Sequence, residues 1–403
     1  MLGTHHIVQD CFRSAMNPTL ADLPTTIFDV MSGLARDLNA INLGQGFPDD
    51  PGPEDVRRAA ADAVLNGWNQ YPPMMGLPEL RQAIAAHYSR FQGLDLDPTT
   101  EVMVTSGATE ALAGALMAVI EPGDEVVLFQ PMYDAYLPLV QRAGGVAKFV
   151  NLQPPSWTMA RADLERVFGP KTKAVVFNNP HNPCGVVYER AQLELLAEFC
   201  VRYNAIAICD EVWEHLVFDG RQHIPMMSLP GMRERTVKIG SAGKIFSLTG
   251  WKVGLVAAAP AVMKGLSKAH QFITFTTAPS LQVGVAHGLM KDEAYFATMR
   301  QTFQASRDRF TAGLKDVGFK VIPSQGTYFV TIDISELAIS DDVAFAQKLV
   351  REFGVATIPV SAFYAENVYR NAVRFCFAKK DETQDRALER LRQAAPAFGL
   401  SGN

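Results

Sequence analysis

A single lysine, Lys244, follows three small residues in Gly240-Ser241-Ala242-Gly243-Lys244, and Gly250-Trp251-Lys252-Val253-Gly254 comes shortly after. Small residues let a backbone approach a ligand closely. A lysine held there has one distinctive use. Its amine condenses with a carbonyl to give a Schiff base, once desolvation or a neighbouring cation lowers its pKa. Taken alone, the stretch reads more readily as a glycine-rich turn with a solvated lysine, because lysines are mostly exposed. Other residues have to decide between the two.

Ser106-Gly107-Ala108-Thr109 precedes an apolar helical run from Ala111 to Ile120. Free backbone N–H groups at a helix start face an anion such as phosphate. Asp210 closes the apolar run Ala205 to Cys209, and a buried carboxylate requires a positive partner. An arginine would serve, and so would a protonated pyridine nitrogen. Asn182 sits in a turn between Pro180 and Pro183, and Tyr133 follows Pro131-Met132, where it would stack on a flat ring or simply pack. Each has a bland alternative as a cap, turn or core residue. Together they offer an amine, an anion cradle, a pyridinium partner, an aromatic face and an oxygen-directed amide, which are the needs of pyridoxal 5'-phosphate.

These groups fall at the ends of elements that have to position them. Strand-like runs at 101–104, 125–129, 173–177, 205–209 and 236–239 alternate with helical patterns such as 191–203. Continuous apolar runs between helices signal buried parallel strands in a doubly wound α/β core. Ligands bind beyond the carboxyl ends of such strands. A long helix, 293–317, leads to a second, α+β part with strands near 327–332, 355–358 and 373–377 and helices at 341–353 and 383–394. The expected division is a flexible tail over 1–15, an N-terminal segment over 16–51 packing with the small domain, a large domain over 52–292 and a small C-terminal domain over 293–403. Met16 is an alternative start.

A formal charge of -5 and no basic, aromatic-interleaved run argue against a nucleic-acid surface. No apolar stretch approaches the roughly 18 residues that span a bilayer, so no membrane role is expected. The five cysteines form no CxxC pair, the usage of a reducing, cytoplasmic setting. Glu214-His215 lacks the second histidine of a zincin helix, so no metal is expected.

The chain resembles class I/II aminotransferases of the fold-type I pyridoxal-phosphate superfamily, most closely the branch of kynurenine, glutamine-phenylpyruvate, methionine and succinyldiaminopimelate aminotransferases. The motifs, in family order, are Asn42-Leu43-Gly44-Gln45-Gly46-Phe47-Pro48-Asp49, Asn179-Pro180-His181-Asn182-Pro183-Cys184-Gly185, Asp210-Glu211-Val212-Trp213, Ser241-Ala242-Gly243-Lys244 with the Gly250 to Gly254 run, and Val373-Arg374-Phe375-Cys376-Phe377. The resemblance covers nearly everything from Met16 onward. It implies a mostly parallel seven-stranded sheet between helices, with a smaller α+β domain.

The resemblance also implies roles. Lys244 would carry the cofactor as a Schiff base and shuttle the proton. Asp210 would pair with the pyridine nitrogen, Asn182 with the phenolic oxygen, and Tyr133 would stack on the ring. Ser241, Lys252 and Gly107-Ala108-Thr109 would hold the phosphate, with Tyr71 reaching it from the neighbouring subunit of a homodimer with shared sites. Arg374 would clamp the substrate carboxylate as a bidentate fork, helped by Gly46 and Asn182. Trp213 departs from the pattern, since most members have a tyrosine there; an altered Schiff-base pKa is expected. The implied activity is ping-pong transfer of an amino group from an L-amino acid to a 2-oxo acid. The segment 272–277 lacks the second arginine of dicarboxylate-specific relatives, so an aromatic, methionine-like or other uncharged side chain is expected, with Phe272 and Phe275 in the pocket or else in the core; a succinylated diaminopimelate stays open through arginines elsewhere. A cysteine-conjugate C–S β-lyase would share every cofactor residue and is the alternative; a cofactor-binding regulator would need a DNA-binding module for which no segment is spare.

Overall fold

The structure is a computed structural model that describes residues 17–21, 23–339 and 341–400. The expected tail and Met16 lie outside the described residues. Among the described residues there are thirteen strands, in chain order. β1 is Ile41–Asn42, β2 Val102–Thr105, β3 Glu125–Gln130, β4 Val146–Asn151, β5 Thr172–Asn178, β6 Ile206–Asp210, β7 Thr236–Ser241 and β8 Gly254–Ala258. In the C-terminal part, β9 is Lys320–Ile322, β10 Phe329–Asp333, β11 Val355–Ala356, β12 Ile358–Pro359 and β13 Ala372–Cys376.

The large sheet has seven strands in the order β2-β8-β7-β6-β5-β3-β4. The run from β7 to β4 is parallel, and β8 is antiparallel to both of its neighbours. Side chains alternate across a strand, so each apolar run feeds two cores. Val127, Phe129, Val175, Phe177 and Cys209 pack on one side, and Val126, Leu128, Val176, Ile208 and Ile239 on the other. That two-sided burial is why these strands are apolar throughout rather than alternating.

Two strands of this sheet escape the sequence reading. β4 is an edge strand, mostly half-exposed, so it lacks the apolar signature of its neighbours. β8 begins inside the Gly250 to Gly254 run and consists of Gly254, Leu255, Val256 and two alanines, too plain to stand out. The helix expected from Ala111 instead spans Ala108–Val119. Gly107 is its N-cap at φ +83°, a left-handed value suited to glycine, so Ala108 and Thr109 belong to the first helical turn.

A four-stranded antiparallel sheet, β12-β13-β10-β9, forms the core of the C-terminal part. The expected strand at 355–358 is two short pieces; β11 pairs in parallel with β1. The N-terminal helix Ile27–Asp37 buries Met31 and Ala35 against Ala346, Val350 and Ile358. The helix Glu293–Asp316 joins the two cores. Its Phe296 packs beside the large sheet, Phe310 and Leu314 pack in the small-sheet core, and Met299 touches both.

Candidate active site

β7 ends at Ser241, which caps the short helix Ala242–Ile245. A Cβ on Gly243 would lie 3.0 Å from Thr249 Cα and 3.1 Å from the Leu248 carbonyl, so this turn packs backbone to backbone as small residues permit. Lys244 Nζ donates to Tyr328 Oη at 3.0 Å and to the Gly46 carbonyl at 3.3 Å. It lies 4.7 Å from the centre of the Trp213 ring. Desolvation pulls its pKa to about 8, against the attraction of Cys376 and Asp210, while Arg374 and Lys252 push the same way as burial. An amine near 8 is partly neutral at physiological pH, as a nucleophile or base must be.

Asp210 ends β6, one strand over from Lys244. Its Oδ2 accepts from Tyr136 Oη at 2.6 Å. Burial raises its pKa, opposed by that bond, by the Val212 N–H and by the attraction of Lys244. The site thus keeps a carboxylate out of water with no ion-paired base, an arrangement that a cation entering the cavity would relieve. Asn178 closes β5 beside it and donates through Nδ2 to the Asp210 carbonyl at 2.7 Å. Its Oδ1 accepts from the Asn182 N–H at 2.7 Å, which fixes the turn carrying Asn182.

Arg374 comes from β13 and is 1% exposed. Nη1 donates to Asn182 Oδ1 and Nη2 to the Gly44 carbonyl, both at 2.8 Å. Its Nε has no partner. The guanidinium lies 3.8 Å from the centre of the Phe329 ring. Desolvation lowers its pKa to about 10. A buried guanidinium with an unused donor suits an incoming carboxylate.

The anion corner is built where the helix Ala108–Val119 starts. A Cβ on Gly107 would sit 2.8 Å from Lys252 Cε and 3.1 Å from Nζ. Lys252 itself is held at φ +53°, with its ammonium beside Gly107 at the helix start. Thr105 Oγ1 donates to the Gly107 carbonyl at 3.0 Å and steadies the turn.

A cavity of about 480 Å³ joins these parts. It is lined by Gly46, Gly107, Ala108, Thr109, Tyr133, Asn182, Asp210, Ser241, Lys244, Lys252 and Arg374. Tyr71 is the one predicted residue that does not line it; its side chain is 82% exposed and sits 5.6 Å, ring to ring, from Phe275. Phe272 and Phe275, offered as pocket or core residues, do neither in their own chain. The helix Pro260–Ile273 ends there, Phe275 turns at φ +65°, and both rings face outward. Sequence reasoning missed Tyr136, Asn178, Tyr328 and Phe329. Asn178 was within reach, as the polar residue ending an apolar strand. The tyrosines carry no local signal, because their partners are distant in sequence.

Among the described residues, Glu211, Glu214 and His223 bring metal-ligand atoms within 4.8 Å of one another. Their cation is already present. Lys238 Nζ, fully buried, lies 2.7 Å from Glu211 and 2.6 Å from Glu214. Burial would raise the Glu211 carboxyl, but Lys238 and His223 override it and hold it near about 2.

The family model for class I and II aminotransferases matches residues 39–391. A probable N-succinyldiaminopimelate aminotransferase of Mycobacterium tuberculosis is 44% identical, over 91% of this chain and 95% of that protein. The solved structure of the Mycobacterium tuberculosis N-succinyldiaminopimelate aminotransferase superposes with a TM-score of 0.92 at 43% identity, covering 94% of this chain and 99% of that one. A methionine aminotransferase of Escherichia coli is 38% identical, over 93% and 97%; kynurenine–oxoglutarate transaminase 3 of Rattus norvegicus is 38% identical, over 97% and 93%. The chain belongs to the class I and II aminotransferases. It has the type I fold, is a transferase of amino groups, and takes pyridoxal 5'-phosphate as its cofactor. The residues fit that group: a desolvated amine for its aldehyde, a buried carboxylate lacking a cation for its ring nitrogen, and a glycine-capped helix with a lysine for its phosphate.

Proposed function

We propose that this enzyme transfers the α-amino group of an L-amino acid with an uncharged side chain, aromatic or methionine-like, to a 2-oxo acid. The observation that carries the reading is the single cavity shared by Lys244, Asp210 and Arg374. When bound, the cofactor supplies an aldehyde and an electron sink for the pair left on the substrate α-carbon. Lys244 Nζ would hold the aldehyde and, when displaced, would be the base that carries the α-proton. Asp210 would keep the ring nitrogen protonated by its charge, and Asn182 Nδ2 would donate to the phenolic oxygen, its Oδ1 being engaged by Arg374. Tyr133 would stack on the ring. Ser241, Lys252 and the Gly107-Ala108-Thr109 start would hold the phosphate.

Arg374 binds the α-carboxylate, with Gly46 and Asn182 beside it. Phe28, Phe47, Phe329 and Trp213 line the same cavity, and among the described residues no second arginine does. That favours an apolar or neutral side chain. The exposed pair Tyr71 and Phe275 supports a homodimer in which Tyr71 of one subunit reaches the phosphate of the other. Cys184, Cys200, Cys209 and Cys376 are free and buried, which supports a cytoplasmic setting; among the described residues no helix is long and apolar enough to cross a membrane. The boundaries at 51/52 and 292/293 suit the two cores joined by the Glu293–Asp316 helix.

The test is a panel of amino acids and 2-oxo acids scored for new amino acids. Methionine, phenylalanine, kynurenine or glutamine should be among the best donors. A strong preference for aspartate would overturn the substrate reading, and pyruvate with a free thiol from a cysteine conjugate, without any acceptor, would favour the lyase alternative.

A further inference from the structure

We propose that Tyr328 is a positioning residue that couples the seating of the strap carrying Gly46 to the state of the Lys244 amine; this rests on the reading of Lys244 as the reacting group. The strap, residues 44–50, is fixed from the small-sheet side. Asp49 accepts from Lys379 Nζ, the Lys380 N–H and Thr383 Oγ1, each at 3.2 Å, and Lys379 also donates to the Phe47 carbonyl at 2.9 Å. Gly46 lies so flat on Phe329 that a Cβ would come within 2.7 Å of that ring. Tyr328, the next residue back, is fully buried.

Hydrogen counting sets the coupling. The Tyr328 phenol has one proton, and at 2.6 Å from the Gly46 carbonyl it donates there. Its lone pairs therefore face Lys244, which donates at 3.0 Å and also reaches the same carbonyl at 3.3 Å. Both polar contacts of the amine are thus to acceptors, which favours its charged form. If the strap lifts, the phenol loses its acceptor and can turn its proton to the nitrogen lone pair, which favours the neutral form. One hydroxyl reads the strap and answers at the amine. The other groups acting on Lys244 are Asp210 on β6, Cys376 and Arg374 on β13, Lys252 and the Trp213 ring; of these Arg374 also holds the strap, at the Gly44 carbonyl, but only Tyr328 bonds the Gly46 carbonyl and the amine together.

The experiment uses cofactor-free full-length protein, trace-labelled with acetic anhydride across pH and read at Lys244 by peptide mass spectrometry, with amide exchange of 44–50 measured in parallel. Tyr328→Phe keeps the ring and removes only the hydroxyl. The labelling midpoint should fall by about half a pH unit to one unit, the effect of losing one neutral hydrogen bond to the charged form, and the strap should exchange faster. Tyr188→Phe, which removes a buried hydroxyl bonded to the Trp157 carbonyl at 3.1 Å, should change neither. An unchanged midpoint in Tyr328→Phe, or a shift with no change in the strap, overturns the coupling. If pyridoxal 5'-phosphate and borohydride leave no label on Lys244 in the native protein, the reading of Lys244 fails first and the proposal falls with it.

Discussion

Arg374 Nη1 donates to Asn182 Oδ1 at 2.8 Å, so the residue proposed for the substrate carboxylate is locked to the one proposed for the cofactor oxygen. The fork is held in place before any ligand arrives, and Nε is the one nitrogen of the guanidinium with no partner. Arg374→Lys cannot bridge Asn182, Gly44 and a carboxylate together. A charged hydrogen bond is worth about 1.5–3 kcal/mol, so kcat/KM should fall roughly 10- to 150-fold, chiefly through KM. Steady-state kinetics with the best amino acid would check this; an unchanged KM would remove Arg374 from carboxylate binding.

Asp210→Asn should separate stability from function. Burial raises the folded pKa of Asp210 above its unfolded value. Such a group favours the fold below the unfolded pKa, and that contribution is lost as pH rises through the folded one. At neutral pH in cofactor-free protein the charge is therefore a cost. The asparagine variant should be more stable there, while turnover falls about 10- to 150-fold with the lost charge. Urea melts of the cofactor-free form, beside turnover of the loaded form, test both halves.

Trp213 faces the Lys244 amine at 4.7 Å. A ring face favours the ammonium by about 0.5–1 kcal/mol or more. Trp213→Leu should lower the Lys244 labelling midpoint below its value near 8 by about half a pH unit. A midpoint that rises or stays would show that the indole acts only as packing.

His87 and His215 share a hydrogen bond of 2.7 Å between their Nε2 atoms, in a cluster with Phe91 and Phe296. Desolvation pulls both from the ordinary 6.5 to about 3. The unfolded chain therefore takes up protons across that window while the folded chain does not, and stability falls as pH drops from 6.5 toward 3. Denaturant midpoints should show this fall. In His87→Leu/His215→Leu the slope over the window should flatten; an unaltered slope would assign the acid lability to other groups.

Much of this could be read from the chain because the chemistry sits where strands stop. Asp210, Asn178 and Ser241 each follow an apolar run, and a parallel sheet gathers such ends at one edge. Lys244 and Lys252 stood out by their small neighbours. What stayed hidden depends on distant packing. Tyr328 reaches Lys244 across 84 positions and Tyr136 reaches Asp210 across 74, and nothing local marks either hydroxyl. β4 was hidden by half-exposure, and β8 by its alanines. The 272–277 segment stayed ambiguous because apolar residues suit a pocket or a core, whereas in their own chain they face outward beside Tyr71.

The most direct measurement is to load the purified enzyme with pyridoxal 5'-phosphate, reduce it with borohydride and map the modified peptide. The label should sit on Lys244 alone, and Lys244→Ala should carry none and lose transfer activity by several orders of magnitude. A label on another lysine, or turnover that survives the alanine, would contradict the assignment.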